Sequence, residues 1–372
     1  MSQDIPPTPD MAASGGPRAP LVALLLPLSG RASAPAEAIR DGFLSAYLAV
    51  DPSMRPRLIV RDCSHGAAQA YQDAVTAGAT FVVGPLTKED VAATLAVAAP
   101  QVVTLALNVL PGSPVTPPRF YQFALAPEDE ARQVALRLLA EGKRSGVALV
   151  PTGDWGRRVL EAFDSAFSAG GGKLLVQKTY APGTTDYAGV IGELIGFDES
   201  RARFRAVASA VGVPLEFVPR RRETVGFLFL AGQPVQGRLI RPQLKFHYSG
   251  ELPLYSISDM YEPSVAANQD LDGLIFADMP WMLSDDAATL GSREDAQELW
   301  SESTRRRSRL FAFGADAFRL LEELKSPETF RDSVSGLTGR LALDAGGHIR
   351  RTLDWAQIQS DGTVRALPAP QP

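Results

Sequence analysis

The chain alternates short, almost wholly apolar runs with longer stretches in which apolar residues recur every three or four positions. Residues 21–26 are all apolar, which is typical of a buried strand, and Ile39, Phe43 and Tyr47 then follow at the spacing of one helix face. Further strands are predicted at 57–62, 80–84, 102–107 and 120–125, with helices at 67–77, 88–99 and 128–141. This alternation predicts a parallel sheet with helices on both faces, a doubly wound α/β unit.

A second unit of the same kind follows. Its strands are predicted at 146–150, 173–180, 225–232, 252–258 and 271–278, and its helices at 155–169, 187–195, 200–211 and 235–247. The end of the chain differs, with a helix at 310–324, two strands around the Gly346-Gly347 turn and a hairpin tip at 360–362. We expect residues 1–19 to be a flexible lead-in and 367–372 to be a disordered tail.

The length of the chain and its net charge limit the classes of protein to which it can belong. A chain of 372 residues is longer than one hydrophobic core usually organises, so two lobes are expected. The 37 basic and 42 acidic residues leave a net charge of −5, which gives no reason to expect nucleic acid or an anionic membrane surface as a partner. The longest apolar stretch, 91–110, is interrupted by polar residues and Pro100, so we expect a helix and a strand there and no membrane span.

The residues that catalysis requires do not occur in their usual patterns. Cys63 is the only cysteine, so no internal disulfide can form, and we expect a buried thiol rather than a reactive one. None of the three histidines has a second metal ligand at helical spacing. No nucleophile elbow, no serine followed three positions later by lysine, and no phosphate-binding glycine loop is found. We therefore predict no catalytic residue, no metal and no cofactor.

Several polar residues follow predicted strands, at the sheet edge where open α/β folds bind ligands. Ser29, Gly30 and Arg31 follow the first strand, and backbone N–H groups there suit a carboxylate or similar anion. Thr87 begins a helix, where its hydroxyl either meets a ligand or caps the helix. Asn108 follows a buried strand and either meets a ligand or bonds its own turn.

Three segments, "LLPLSGR" at 25–31, "GPLTKED" at 84–90 and "GDWGRRVL" at 153–160, resemble loops of the type I periplasmic binding-protein superfamily. Within it, "FLAGQPVQGRLIRPQ" at 229–243 and "LDGLIFADMPWML" at 271–283 look most like the LppC/LpoA family. The resemblance implies two doubly wound parallel-sheet lobes joined by three crossings. These crossings would lie near Ala124, 277–280 and 349–352, with 20–123 and 280–349 in lobe 1, and 124–279 and 350–366 in lobe 2.

Members of this family are outer-membrane lipoproteins that activate a class A penicillin-binding protein. The resemblance therefore implies a non-enzymatic regulator of peptidoglycan synthesis that binds such a synthase. It also implies a periplasmic protein held to the outer membrane by a lipidated N-terminus that this chain does not carry. The alternative is a periplasmic solute-binding receptor for an amino-acid-like or muropeptide ligand, and a small ligand in the cleft between the lobes is left open.

The superfamily also draws attention to residues of the second lobe. Asp154 and Trp155 occupy a turn at which an aromatic ring faces the cleft, although Trp155 could instead pack on its own helix. Asp259 and Tyr261 follow a predicted strand, and in amino-acid receptors of the superfamily an acidic side chain there often holds the ammonium group of the ligand. The bulky segment 279–282 predicts a narrow cleft.

Two basic runs, at 220–222 and at 305–307 with Arg309, are interpreted as solvated surface. The alternative is that these runs contribute to a surface patch for a protein partner, and the first run could meet an acidic surface of that partner.

Overall fold

The computed structural model describes residues 19–112, 116–211, 222–247, 249–284, 286–300, 307–327, 330 and 332–370, without the side chains of 198–199 and 287–292. The predicted lead-in, except Ala19, and the last two residues of the predicted tail lie outside the described residues. Among the described residues, no helix combines the length and the apolar character needed to cross a membrane.

The strands are, in chain order, β1 (Leu21–Leu26), β2 (Arg57–Asp62), β3 (Phe81–Val83), β4 (Val103–Ala106), β5 (Phe120–Phe123), β6 (Ser145–Pro151), β7 (Lys173–Tyr180), β8 (Leu228–Leu230), β9 (Leu254–Ser256), β10 (Leu274–Asp278), β11 (Val334–Gly336), β12 (Gly339–Leu343), β13 (His348–Thr352), β14 (Asp354–Ile358) and β15 (Val364–Leu367). The α-helices are α1 (Ser33–Ala49), α2 (Ala67–Thr76), α3 (Lys88–Leu95), α4 (Pro127–Ala140), α5 (Asp154–Ala169), α6 (Ala188–Ile195), α7 (Phe197–Val211), α8 (Pro234–Phe246), α9 (Val265–Asn268), α10 (Pro280–Leu283), α11 (Ala287–Leu299) and α12 (Ser308–Glu323).

The strands form two sheets. The first sheet has the order β11-β12-β13-β5-β4-β3-β1-β2, and the second has the order β15-β14-β10-β9-β8-β6-β7. All pairs from β13 to β2 and from β10 to β7 are parallel. The antiparallel pairs lie at the β11 and β15 ends of the two sheets. The predicted arrangement of two wound, mainly parallel sheets is confirmed.

β1 illustrates how the first sheet is covered. All six of its residues are buried. Alternate residues, starting at Val22, pack in one hydrophobic cluster with α1 and α12, whereas the others, starting at Leu21, pack in another cluster with α2. Because successive residues of a strand point to opposite faces, this division places helices on both sides of the sheet.

The chain passes between the two sheets three times, after β5, after β10 and between β13 and β14. The third passage lies at Leu353. Residues 350–352 pair with β12 and therefore lie in the first sheet, not in lobe 2, to which the sequence assigned them. The other lobe boundaries stay a prediction.

The disorder expected from residue 367 onward is wrong for the start of that segment. Leu367 ends β15 and pairs with Trp355. Arg137 Nη1 donates a hydrogen bond to the carbonyl oxygen of Pro368 at 3.0 Å, and the Arg137 guanidinium lies 4.5 Å from the centre of the Trp355 ring. The proline-rich composition suggested disorder, but these contacts fix the segment at the edge of the second sheet.

Candidate functional site

A cavity of about 930 Å³ lies between the two lobes, where the carboxyl ends of β4 and β5 face the first turns of α4 and α5. Its walls include Asn108 and His348 from the first lobe and Trp155, Arg158 and Asp259 from the second. The cavity therefore lies at the sheet edge where the sequence predicted a cleft. Its volume is within the usual range for small-molecule sites.

The segment 279–282 does not narrow this cavity, contrary to expectation. Met279 and Trp281 are buried in the main hydrophobic cluster of the second lobe. The Trp281 ring stacks on Phe311 with 5.8 Å between ring centres, and its Nε1 donates a hydrogen bond to Ser308 Oγ at 2.7 Å. These bulky side chains point into the protein and leave the cavity open.

The loop after β1 does not join the cavity. The Ser29 N–H donates to Ser64 Oγ at 3.1 Å, so this N–H is already used within the lobe. Ser64 also hydrogen bonds to Asp62 and holds the pKa of that carboxyl at about 2. Gly30 has a φ of 76° and Arg31 is exposed, and neither of them, nor Ser29, is among the residues that line the cavity.

Thr87 and Asn108 make the local hydrogen bonds that were the alternatives to ligand binding. Thr87 caps α3, because its Oγ1 accepts from the Asp90 N–H at 3.2 Å and donates to Asp90 Oδ2 at 2.8 Å. Asn108 Nδ2 donates to the Leu86 oxygen at 2.8 Å, and Asn108 Oδ1 accepts from the Val109 N–H at 2.9 Å. Asn108 lines the cavity with both of its polar ends bonded, whereas Thr87 is not among the lining residues.

Trp155 lies between two cavities. It lines the 930 Å³ cavity and a second one of about 600 Å³, which Tyr261 also lines. The Tyr261 ring stacks on Phe276 with 4.8 Å between ring centres. Asp154 precedes Trp155, but its side chain is 85% exposed, pairs with Arg157 at 3.5 Å and lines neither cavity.

Asp259, like Trp155, lines both cavities. Asp259 is an exposed residue. Desolvation by the surrounding protein raises the pKa of its carboxyl, while Arg309 opposes this rise and Asp278 adds to it. The structure thus brings three of the predicted residues, Asp259, Trp155 and Asn108, to one cavity.

Sequence reasoning missed an ion pair beside this cavity. Arg309 Nε donates to both carboxylate oxygens of Asp278, at 3.0 and 3.2 Å. Arg309 Nη2 donates to the backbone oxygens of Ser258 and Tyr261 at 3.1 and 3.2 Å. Burial lowers the pKa of Arg309, but the nearby carboxylates of Asp278, Glu130 and Asp259, with Asp278 the strongest, together hold this pKa above its usual value. The interpretation of this basic run as solvated surface is therefore wrong for Arg309, and residues 305–306 lie outside the described residues.

The pair between Arg309 and Asp278 connects the two lobes. Arg309 lies in α12, and α12 packs on α1 of the first lobe, where the Phe318 and Phe43 rings meet edge to face at 5.2 Å. Asp278 ends β10 of the second sheet and is 1% exposed. An uncompensated charge at such a buried position is costly, so the pair holds α12 against the end of β10.

A second buried ion pair spans the lobes nearby. Glu130 of α4 accepts from Arg351 Nη2 at 3.2 Å and from the Ser258 N–H at 3.0 Å, and Arg351 Nη1 donates to the Thr338 oxygen at 3.2 Å. Burial raises the pKa of Glu130, and the Arg351 charge opposes this rise. The only sequence signal for this cluster was the position of the predicted crossings, since the partner residues lie far apart in the chain.

Three further arginines of the cavity wall, Arg132, Arg158 and Arg350, are also paired. Arg158 Nε donates to Glu128 Oε1 at 2.7 Å, Arg350 Nε donates to Asp344 Oδ2 at 2.7 Å, and Arg132 pairs with Asp129. The wall therefore presents ion pairs, which suit a ligand that carries both signs of charge. Within the part of the chain that the structure describes, no group of three or more His, Cys, Asp or Glu side chains could hold a metal ion.

The family model and the curated proteins that match this sequence indicate the same family. A family model described as "LppC putative lipoprotein" matches residues 18–361. The penicillin-binding protein activator LpoA of Vibrio antiquarius is 32% identical over 346 residues, which cover 90% of this chain and 56% of that protein. The chain thus spans about half the length of the curated relatives it matches.

Solved structures share the fold. The carboxy-terminal domain of LpoA from Haemophilus influenzae, described as a regulator of PBP1A, matches with a TM-score of 0.69 at 24% identity, covering 94% of this chain and 100% of that domain. The leucine-binding protein LivK of Thermotoga maritima matches with a TM-score of 0.55 at 16% identity, covering 95% and 99%. Because the family match extends over nearly the whole chain, we conclude that this protein belongs to the LppC family.

Proposed function

We propose that this chain is a protein-binding module that docks on a class A penicillin-binding protein and raises its activity, without catalysing a reaction itself. Curated relatives are named penicillin-binding protein activators, and a structural neighbour is described as a regulator of PBP1A. The chain corresponds to a little over half of the length of those relatives.

One structural observation supports a binding module over a receptor that closes on its ligand. Solute receptors of this architecture enclose their ligand by hinge motion between the lobes. Here Arg309 pairs with Asp278, and Arg351 pairs with Glu130, in both cases between the lobes. Separating either pair would leave buried charges unpaired, so the lobes favour one relative position and present fixed outer surfaces to a partner.

The test is surface plasmon resonance with the purified chain and the cognate class A synthase immobilised. We expect saturable binding in the micromolar range or tighter. A heat-denatured sample of the chain serves as the control and should not bind. The absence of binding by the folded chain at micromolar concentrations would reject the proposal.

We also propose that the natural protein works in the periplasm, attached to the outer membrane by a lipid. The family description as a lipoprotein supports this location. Density-gradient separation of membranes from the source bacterium, probed with an antibody against this chain, should place it in the outer-membrane fractions, and recovery in the cytosol would oppose the proposal.

A second candidate function is binding of an amino-acid-like or muropeptide ligand in the cleft. The observation that favours it is the open 930 Å³ cavity, in which the Asp259 carboxyl and the Trp155 ring lie beside paired arginines. Thermal-shift screening against amino acids and muropeptides should then reveal saturable stabilisation that Asp259→Ala removes and Asp154→Ala, outside the cavity, retains. No shift with any such compound would leave partner binding as the function of the fold.

A further inference from the structure

Helix α8 carries an apolar row on its outer face as well as on its inner face. Its inner face buries Gly237, Ile240 and Leu244 in the second lobe. On the outer face Val235, Leu239 and Phe246 are 49%, 36% and 80% exposed, and Pro242 is exposed between them. We call these four outer residues, Val235, Leu239, Pro242 and Phe246, the α8 row. Contiguous exposed apolar residues of this kind are typical of an interaction surface.

The spacing of the α8 row is that of a helix-packing seam. The four residues are separated by four, three and four positions. At 100° per residue they fall within about 60° of one another around the helix, opposite the buried face. Apolar residues in this three-four alternation are those through which one helix packs along another. The shape of the row therefore matches a second helix laid beside α8.

The polar residues on one side of the α8 row hold the helix in place. Gln236 takes part in a capping box with Gln233 at the start of α8. Gln243 Nε2 donates to the Thr185 oxygen at 3.0 Å, and Gln243 Oε1 accepts from the Tyr187 N–H at 2.8 Å. Since these contacts fix α8 before any partner arrives, the α8 row is a preformed surface and little ordering is needed on binding.

Cations follow the other side of the α8 row. Arg238 and Lys245 lie seven residues apart, at the position from which charged residues pair across a seam of two helices. Arg238 also pairs with Glu262 at 2.7 Å, and Lys245 with Asp272 at 3.0 Å. These are surface pairs, which are weak, so carboxylates of a docked helix can share the cations.

We propose that the α8 row is the docking surface for an amphipathic helix of the class A synthase, one with an apolar row at matching spacing and acidic residues along the side that meets Arg238 and Lys245. This inference rests on the proposed function, which supplies the synthase as partner. The apolar row provides the contact area, and the two cations select the acidic side and hence the direction of the partner helix.

A second copy of this chain fits the α8 row less well. Antiparallel pairing of two α8 helices about a twofold axis sets Arg238 against Lys245 of the other copy, which places like charges together. Parallel pairing sets each cation against Gln236 or Gln243, so in neither arrangement does α8 of the second copy itself supply a carboxylate. Charge complementarity therefore favours a different protein with an acidic side.

The experiment measures binding of variants to the immobilised cognate synthase. We expect Leu239→Glu and Phe246→Glu to weaken binding at least about tenfold, because each places a charge within the apolar contact. Arg238→Glu combined with Lys245→Glu should weaken it as well, by repelling the acidic side. The matched controls are Leu136→Glu on α4 and Met54→Glu in the first lobe, which alter side chains that are 57% and 76% exposed and should bind within about twofold of the unaltered chain.

The outcomes separate the two proposals. If the unaltered chain binds and all variants bind equally, the α8 row is not the docking surface, although the proposed function stands. If the unaltered chain does not bind, the proposed function fails. If circular dichroism shows that a variant has lost its fold, a photo-crosslinking amino acid at position 239 is used instead of that variant. We then expect crosslinks to the synthase from position 239 but not from position 136. Light scattering that finds a dimer of the free chain, lost in Phe246→Glu, would overturn the inference in favour of a second copy.

Discussion

The position of Cys63 in the fold limits the reactivity of its thiol. Cys63 follows β2, is 1% exposed, and burial raises the pKa of its thiol to about 12. A thiol reagent needs the thiolate, so at about pH 8 the folded chain should react at a negligible rate and the chain in urea should react fully. Rapid labelling of the folded chain would show that the end of β2 is open to solvent.

Neighbouring arginines of β13 should differ sharply in their effect on stability. The Arg351 side chain is 4% exposed and pairs with the buried Glu130, whereas the Arg350 side chain is 48% exposed. Arg351→Met should lower the free energy of unfolding by about 3–5 kcal/mol, because it leaves a buried carboxylate unpaired. Arg350→Met serves as the control and should lower it by less than about 1 kcal/mol, since surface pairs contribute little. Urea unfolding of both variants measures the difference.

The stability of Arg351→Met should also depend on pH. The pKa of Glu130 is raised by burial, and loss of Arg351 removes the charge that opposes the rise. A carboxyl with a raised pKa in the folded state favours folding when protonated, and this favourable contribution is lost as the pH rises through the raised pKa. The stability deficit of the variant should therefore shrink as the pH falls from 7 toward the ordinary value of glutamate, and a deficit that grows on acidification would refute the assignment.

At the scale of elements, α1 and α12 cross with almost no space between their backbones. A Cβ atom at Gly42 would overlap the carbonyl oxygen of Phe311, and one at Gly314 would overlap that of Ile39. Both glycines have ordinary helical conformation, so it is the close approach that requires them. Gly42→Ala should lower the free energy of unfolding by at least about 1–3 kcal/mol, because the helices must move apart.

Gly192 of α6 is the matched control for Gly42. A Cβ atom at Gly192 meets no atom within 4 Å, so Gly192→Ala should leave stability unchanged or raise it by up to about 1 kcal/mol through better helix propensity. Equal thermal midpoints for Gly42→Ala and Gly192→Ala would mean that the crossing is looser than the structure shows.

The helices and strands were predictable because their signals are local. The six apolar residues of β1 are all buried, and Thr87 caps α3 as one of its two interpretations required. The disorder predicted for the tail was wrong at its start, because composition cannot show that Arg137 donates a hydrogen bond to the carbonyl oxygen of Pro368. Local pattern therefore determines the elements, but not the contacts at their ends.

The site was predictable only in part. Asn108, Trp155 and Asp259 line the cavity because they lie at the carboxyl ends of strands, a position that strand prediction supplies. Arg309 was taken for surface because its partner Asp278 lies 31 residues away, and Glu130 and Arg351 are 221 residues apart. Pairs of this kind depend on how the lobes are placed, which periodicity does not encode.

At the scale of the whole molecule, the ion pairs between the lobes should set their separation. Arg309→Met removes the partner of Asp278, whereas Arg319→Met, on the same helix, alters a side chain that is 50% exposed. Spin labels at Met54→Cys and Val207→Cys report the distance between the lobes, and the buried Cys63 should stay unlabelled. We expect a broader or longer distance distribution in Arg309→Met and an unchanged one in Arg319→Met. Identical distributions would mean that other contacts set the separation.

We have proposed that this chain activates a synthase by binding it and performs no reaction of its own. The most direct measurement is the rate at which the cognate class A penicillin-binding protein polymerises its lipid-linked substrate as the chain is added. We expect this rate to rise with the concentration of the chain to a plateau, and we expect no product when the synthase is left out. A rate that stays constant up to concentrations well above those of the synthase, or product formed by the chain alone, would contradict it.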